Sequence, residues 1–205
     1  MPSNAKTARS PWTRDRAAER EQKREAVLQA AAEAFSINGF HRTSLDGIAE
    51  RLGVTKPTLY YYARNKEDLI MAVGARATEQ IIAAFEGDPR ATGLDQLKHL
   101  LRRYAEVATT DFGKCMIELR DTDVSPEAGA ALRATKKRIA DRIRTLVEVG
   151  VADGSIAPCD VRLTSFMLGG VLNGIAAWYH RDGDLTPSAL AEVYISQLSA
   201  GLLPR

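Results

Sequence analysis

Apolar residues recur along this chain at the three-to-four-residue spacing of a helix face, and nowhere do β-branched residues alternate over a run long enough to make a strand. That pattern points to an all-α fold. Leu28, Ala31, Ala32 and Phe35 mark a first helix from about residue 15 to residue 37, which Gly39 can end in the left-handed conformation. Thr43 or Ser44 can cap a short second helix that runs to Leu52 and is broken by Gly53. Thr55 can cap a third, with Pro57 tolerated in its first turn, and that helix must close by Asn65, because Asn65 and Asp68 cap a fourth. Leu69, Val73, Ala77 and Ile81 carry the fourth to about Phe85. Further helices are expected over about 93–109, 112–119, 126–152 and 160–179, and from Pro187 onward.

The 205 residues suit one large domain, or a small module fused to a larger one. Lys and Arg number 28 against 26 Asp and Glu, a net charge of +2, but the basic excess lies at the front. Residues 1–70 carry twelve basic and nine acidic side chains, whereas residues 71–205 carry sixteen and seventeen. Residues 1–20, with Lys6, Arg9, Arg14, Arg16 and Arg20, read as a flexible basic arm, either a nucleic-acid contact or a solvated tail. Cys115 and Cys159 lie 44 positions apart, with no zinc-like Cys or His spacing beside either. This argues against a disulfide framework or a metal site and for a reducing cytoplasm; no cofactor is expected. No membrane association is expected either, since the front lacks an apolar signal region. The longest apolar stretch, Leu163 to Tyr179, has 17 residues interrupted by Thr164, Ser165 and Asn173. A bilayer span takes about 20 mostly apolar residues.

The informative segment is Thr43 to Lys66, TSLDGIAERLGVTKPTLYYYARNK, which reads as helix, three-residue turn, helix. Leu45, Ile48, Ala49 and Leu52 form the inner face of the first helix, Val54 and Leu59 plug the angle, and Gly53 supplies the turn. With Leu59 inward and a step of about 100° per residue, Pro57 and Tyr61 point farthest outward, flanked by Thr58, Tyr60 and Tyr62. Thr and Tyr hydroxyls can donate to phosphate oxygens, methyl and ring surfaces can meet thymine methyls, and Lys56 and Lys66 supply charge at the two ends. The bland alternative is a helical hairpin with a solvated outer face, but three adjacent tyrosines make poor solvated surface.

From Arg24 to Leu69, REAVLQAAAEAFSINGFHRTSLDGIAERLGVTKPTLYYYARNKEDL, the chain resembles the DNA-binding domain of the TetR family of one-component transcriptional regulators. It departs from the family at Ala63, commonly Phe, and at Pro57, often Gly. The resemblance implies an N-terminal three-helix helix-turn-helix domain over 21–66, with the motif itself at 44–63. A linker helix would join this to a C-terminal helical ligand-binding and dimerisation domain over 67–205. By position, Lys56, Pro57, Thr58, Tyr60, Tyr61 and Tyr62 would face a double-stranded DNA operator, and Thr43, Ser44 and Lys66 would anchor phosphates. The family also implies a homodimer formed by the last two long helices of each subunit. The residues expected there are Leu168, Gly170, Val171, Leu172, Gly174, Ile175, Leu190, Val193 and Leu198, the glycines for close backbone approach. Beyond the fourth helix it implies an effector pocket, for which the candidates are Leu97, Leu100, Tyr104, Phe112, Met116, Leu119, Arg120, Met167, Val171 and Trp178.

The C-terminal stretch GVLNGIAAWYHRDGDLTPSALAEVYISQLSAGL is similar to a TetR subgroup that regulates degradation of fatty acids, sterols and related acids and senses acyl-CoA thioesters. Arg120, Arg133, Lys136, Lys137, Arg138 and Arg162 are available to meet the phosphates of such an effector. The expected function is a ligand-responsive repressor released from a palindromic operator by a small molecule, an acyl-CoA thioester being the first candidate. A repressor of an efflux or stress operon that senses a lipophilic or aromatic compound is a second reading, and an architectural DNA-binding or interaction protein without effector a third. An enzyme is disfavoured. None of His41, His99 or His180 has Glu three residues before it, and HExxH, GxSxG, GxGxxG and P-loop motifs are missing. Cys115 reads as a buried small hydrophobe rather than a nucleophile.

Overall fold

The computed structural model describes residues 11–203, with side chains from residue 16. Among these residues the chain forms nine α-helices and no strand: α1 Pro11–Asn38, α2 Leu45–Leu52, α3 Lys56–Tyr60, α4 Lys66–Ile82, α5 Gly93–Ala108, α6 Asp111–Glu118, α7 Pro126–Ala152, α8 Val161–Trp178 and α9 Pro187–Leu202. Two short 3₁₀ turns, Ala83–Phe85 and Asp121–Asp123, follow α4 and α6.

Local chemistry sets these boundaries. The side chains of Ser44, Asn65, Thr92, Thr110, Ser125, Asp160 and Thr186 each accept the backbone N–H three residues on, opening α2 and α4 to α9. Gly39 and Gly53 end α1 and α2 at φ of 77° and 65°, where a Cβ is penalised. Thr55 does not cap α3 with its side chain. Pro57 removes one of the two amides such a cap serves, and the Thr55 hydroxyl instead pairs with that of Thr58 at 2.8 Å.

The first helix is longer than its apolar pattern, and this moves the boundary of the expected arm. Helix begins at Pro11, so residues 11–20 extend α1, while residues 1–10 lie outside the described residues. Positions 17–25, AAEREQKRE, are strong helix formers all through, and Lys23 pairs with Glu19 one turn before it.

The second half of α1 packs with α2 and α3 around Leu28, Ala31, Phe35, Ile48, Ala49 and Leu59 to form a head. Helix α4 lies against α1 on the head side and against α5, α6 and α7 of the larger body. In that body α5 is central, contacting α4, α6, α7, α8 and α9, with Leu97, Leu100, Leu101 and Ala105 fully or almost fully buried. Helix α8 buries Ser165, Leu168, Leu172, Ile175 and Ala176 but leaves Leu163, Phe166, Met167, Val171 and Trp178 exposed. No helix among the described residues is long and apolar enough to cross a membrane.

Candidate nucleic-acid interface and internal cavity

The turn between α2 and α3 closes through backbone bonds from Gly53 N–H to the Glu50 carbonyl and from Val54 N–H to the Ala49 carbonyl, both at 3.0 Å. Leu59, with no exposed surface, plugs the angle beneath α3. Its neighbours therefore point out: Tyr60 is 43% exposed and Tyr61 65%, beside exposed Lys56, Pro57 and Thr58. Tyr62 is half-buried and meets Tyr61 edge-on, ring centroids 5.1 Å apart. The Arg20 guanidinium stands 5.3 Å over the Tyr61 ring, so the basic stretch of α1 reaches this face. The Lys56 ammonium lies 2.8 Å from the Asp46 carboxylate, which raises its pKa.

Three expected phosphate anchors differ from one another in the structure. Ser44 is exposed, its hydroxyl capping α2. Thr43 is buried, and its hydroxyl is placed to donate to the carbonyls of Ala34 and Gly39, at 3.2 and 2.8 Å. Lys66 donates from Nζ to the carbonyls of Phe40 and His41, at 2.9 and 3.3 Å, and sits 4.4 Å from the Phe40 ring centroid. Thr43 is thus placed inside the protein, clamping the α1–α2 connection, and half-buried Lys66 ties the same connection. Both are close to carbonyls at and just beyond the end of α1, where a donor finds a partner without leaving the protein.

In the body, α5, α6, α7 and α8 border a mostly apolar cavity of about 380 Å³ that opens to solvent beside exposed Phe166, Gly170 and Asn173 of α8. Tyr104, Met116, Ile117, Ile139 and Ile143 line it from α5, α6 and α7, while Ser165, Phe166, Gly169, Gly170 and Asn173 line it from α8. The Tyr104 hydroxyl donates to Asn173 Oδ1 at 2.5 Å, and burial pushes the phenol pKa up to about 12. Lys136 closes one end. Its Nζ donates to the Leu119 and Ile117 carbonyls at the end of α6, and burial lowers its pKa. Beyond Ile117 and Lys136 lies a more open, polar vestibule bordered by Arg120, Asp121, Thr122 and Arg133, where Arg133 pairs with Asp121.

Of the expected pocket residues, Tyr104 and Met116 line this cavity, and Leu119 and Arg120 line the vestibule. Leu97, Leu100 and Phe112 are buried in the core away from both spaces, and Met167, Val171 and Trp178 are exposed on the far side of α8. The same rotation of α8 corrects the expected dimer surface. Leu168, Leu172 and Ile175, with Leu190 of α9, are buried within the subunit because α8 turns them onto its core. Gly170, Val171 and Val193 are exposed, and Gly174 and Leu198 are partly so. The residues missed are Ile117, Ile139, Ala140, Ile143, Ser165, Phe166, Gly169 and Asn173; a single apolar helix carries no phase signal that could have found the α8 group.

The sequence matches two family models: "Bacterial regulatory proteins, tetR family" over residues 27–73, and "Tetracyclin repressor-like, C-terminal domain" over residues 90–202. The chain belongs to the TetR family. TetR-family relatives include the fatty acid metabolism regulator protein of Bacillus subtilis, 25% identical over 183 residues that make up 86% of this chain and 93% of that one. The regulator RutR of Escherichia coli is 33% identical over 154 residues, 71% of this chain and 70% of that one. A crystal structure of AibR in complex with isovaleryl coenzyme A and operator DNA shares the fold, with a TM-score of 0.74, 24% identity, and coverage of 88% of this chain and 98% of that one. These relatives are transcriptional regulators, not enzymes.

In this TetR-family chain, head and body are joined by more than the continuity of α4. The Glu67 carboxylate, in the first turn of α4, accepts from both the backbone N–H and the hydroxyl of Ser125, the cap of α7, at 2.6 and 2.7 Å. His41 in the head lies 3.0 Å from Asp123 in the body, and the Ser36 hydroxyl donates to Asp111 at the start of α6 at 2.8 Å. Helix α6 therefore stands between the cavity and the head, touching the former with Met116 and Ile117 and packing against α1 and α4.

Proposed function

We propose that this TetR-family regulator is a ligand-responsive repressor that binds a roughly palindromic operator as a homodimer and is released by an acyl-CoA thioester. The observation that carries the reading is a helix, α6, that forms both a wall of the internal cavity and a support of the DNA-reading head. A ligand that prefers one position of α6 biases the position of α4 and hence the head, and differential affinity is what a shift in DNA binding requires.

The outer face of α3 is suited to DNA, with Lys56, Pro57, Thr58, Tyr60 and Tyr61 exposed together, Tyr62 at their edge and Ser44 at the start of α2. Exposed Gly170 and Val171 and partly exposed Gly174 on α8, with exposed Val193 and partly exposed Leu198 on α9, offer a second copy an apolar surface. Two heads on such a dimer would read half-sites about 34–36 Å apart or a multiple of that. A DNA-reading protein of this kind works in the cytoplasm.

Support for the effector class comes from the apolar cavity beside a cationic vestibule, where Lys136 and Arg120 could meet an anionic head group. The B. subtilis relative is a fatty acid metabolism regulator, and AibR was solved with isovaleryl coenzyme A. The test is fluorescence anisotropy on an operator duplex selected from a random pool, titrated with acyl-CoA thioesters beside their free acids. Saturable release by thioesters but not acids is expected. Tight operator binding that no thioester disturbs would overturn the effector assignment, and release by lipophilic drugs would then select the efflux or stress-operon reading.

A further inference from the structure

We infer that Met116 is a gate between the effector cavity and a second apolar groove beside α4, and that an acyl chain long enough to pass it is the form of ligand that releases DNA. This deepens the reading above and rests on it. Met116 is 2% exposed and lines both spaces. The groove, of about 210 Å³ and mostly apolar, is lined by Ile70, Gly74 and Thr78 of α4, Leu132 of α7 and Leu119 beside Met116, with Glu79 and Arg138 also on its border. Protein does not fill it: a Cβ built on Gly74 meets nothing within 4 Å.

The side chain in the gap is one that can move. Methionine is unbranched, with three rotatable side-chain bonds, so it can swing aside without a change of backbone. The contact that holds it is weak and replaceable. Thr78 Oγ1 lies 3.4 Å from Met116 Sδ and 2.8 Å from the Gly74 carbonyl, and its single proton can serve either. When Met116 leaves, Thr78 keeps its bond to Gly74 and no buried donor is orphaned. A charged head group held at Lys136 and Arg120 directs the chain into the apolar cavity, away from the vestibule. A short chain ends within that cavity. A longer one displaces Met116 and presses on α4 at Gly74, about two and a half turns from the Asn65 cap where α4 meets the head.

The experiment compares butanoyl-, octanoyl- and hexadecanoyl-CoA on the full chain by calorimetric binding and by anisotropy of the selected operator duplex. For the wild type, butanoyl-CoA is expected to bind without release, affinity to rise up to about fourfold per added methylene buried, and hexadecanoyl-CoA to bind and release. Gly74→Leu fills the groove from α4. It is expected to weaken hexadecanoyl-CoA about tenfold or more, as if two or more methylenes were left unburied, and to abolish release, while operator affinity and butanoyl-CoA binding stay unchanged. Ala75→Leu, which fills the same groove from the next residue of α4 and does not line the cavity, should give the same selective loss if Gly74→Leu does not fold. A hexadecanoyl-CoA response untouched by either folded variant, or an equal loss for all chain lengths, overturns the gate while the effector reading stands. Failure of every thioester to bind the wild type removes the effector reading and the gate together.

Discussion

Head and body place their working side chains on opposite sides of their cores. In the head, Leu59 is wholly buried while Tyr60 and Tyr61, the next two residues, stand in solvent, so the face that would meet DNA is what the packing leaves outside. In the body, Tyr104 and Met116 are buried and face inward, and the cavity they line is a cleft that packing leaves between the helices, open on the α8 side. An outward site can be altered without touching the core that supports it. An inward site is part of that core, so recognition and stability change together, and a ligand there can move helices that no surface contact would move.

Substitutions can break or sharpen this contrast. Leu59→Ala should cost about 2–5 kcal/mol by removing the plug of the head, seen as an early transition in denaturant unfolding with operator binding lost alongside it. Tyr61→Ala, two residues on, should weaken operator binding by about 1–3 kcal/mol and leave stability within about 0.5 kcal/mol. A large fall in melting temperature would make Tyr61 part of the core and erase the distinction. In the body, Tyr104→Phe deletes the hydroxyl bonded to Asn173 and should cost about 1 kcal/mol of stability. Unlike Tyr61→Ala, it should shift ligand affinity while operator affinity without ligand is unchanged. The smallest effect is a gain: Gly74→Ala, in the interior of α4 with open space around the new Cβ, should stabilise by about 0.5–1 kcal/mol in thermal unfolding.

The same contrast explains what could be read from residues alone. Helix order and most boundaries were legible because caps are local: Ser44, Asn65, Thr92, Ser125 and Thr186 each act on an amide three residues away. The face of α3 was legible for the same reason, since one apolar residue, Leu59, sets the phase of a five-residue helix. The inward turn of Thr43 and the carbonyl bonds of Lys66 are not legible in the residues, because their partners are carbonyls contributed by α1 and the turn after it, and a polar side chain carries no mark of whether its partner is inside or outside. The cavity was hardest. Its wall comes from four helices spread between residues 104 and 173, and α8 is apolar on every side, so hydropathy could not tell the stripe of Leu168, Leu172 and Ile175 that packs inward from the stripe of Met167, Val171 and Trp178 that faces out.

The central claim is that the cavity and the DNA-reading face are two ends of one equilibrium, and reciprocity tests it most directly. Calorimetric titration of hexadecanoyl-CoA into the free protein and into the protein–operator complex gives the ligand's affinity in each state, and anisotropy with and without saturating ligand gives the operator's. The account predicts that each ligand weakens the other by the same factor, roughly 5- to 150-fold for a coupling of about 1–3 kcal/mol. Tight binding of both, with neither affinity changed by the other, would contradict it.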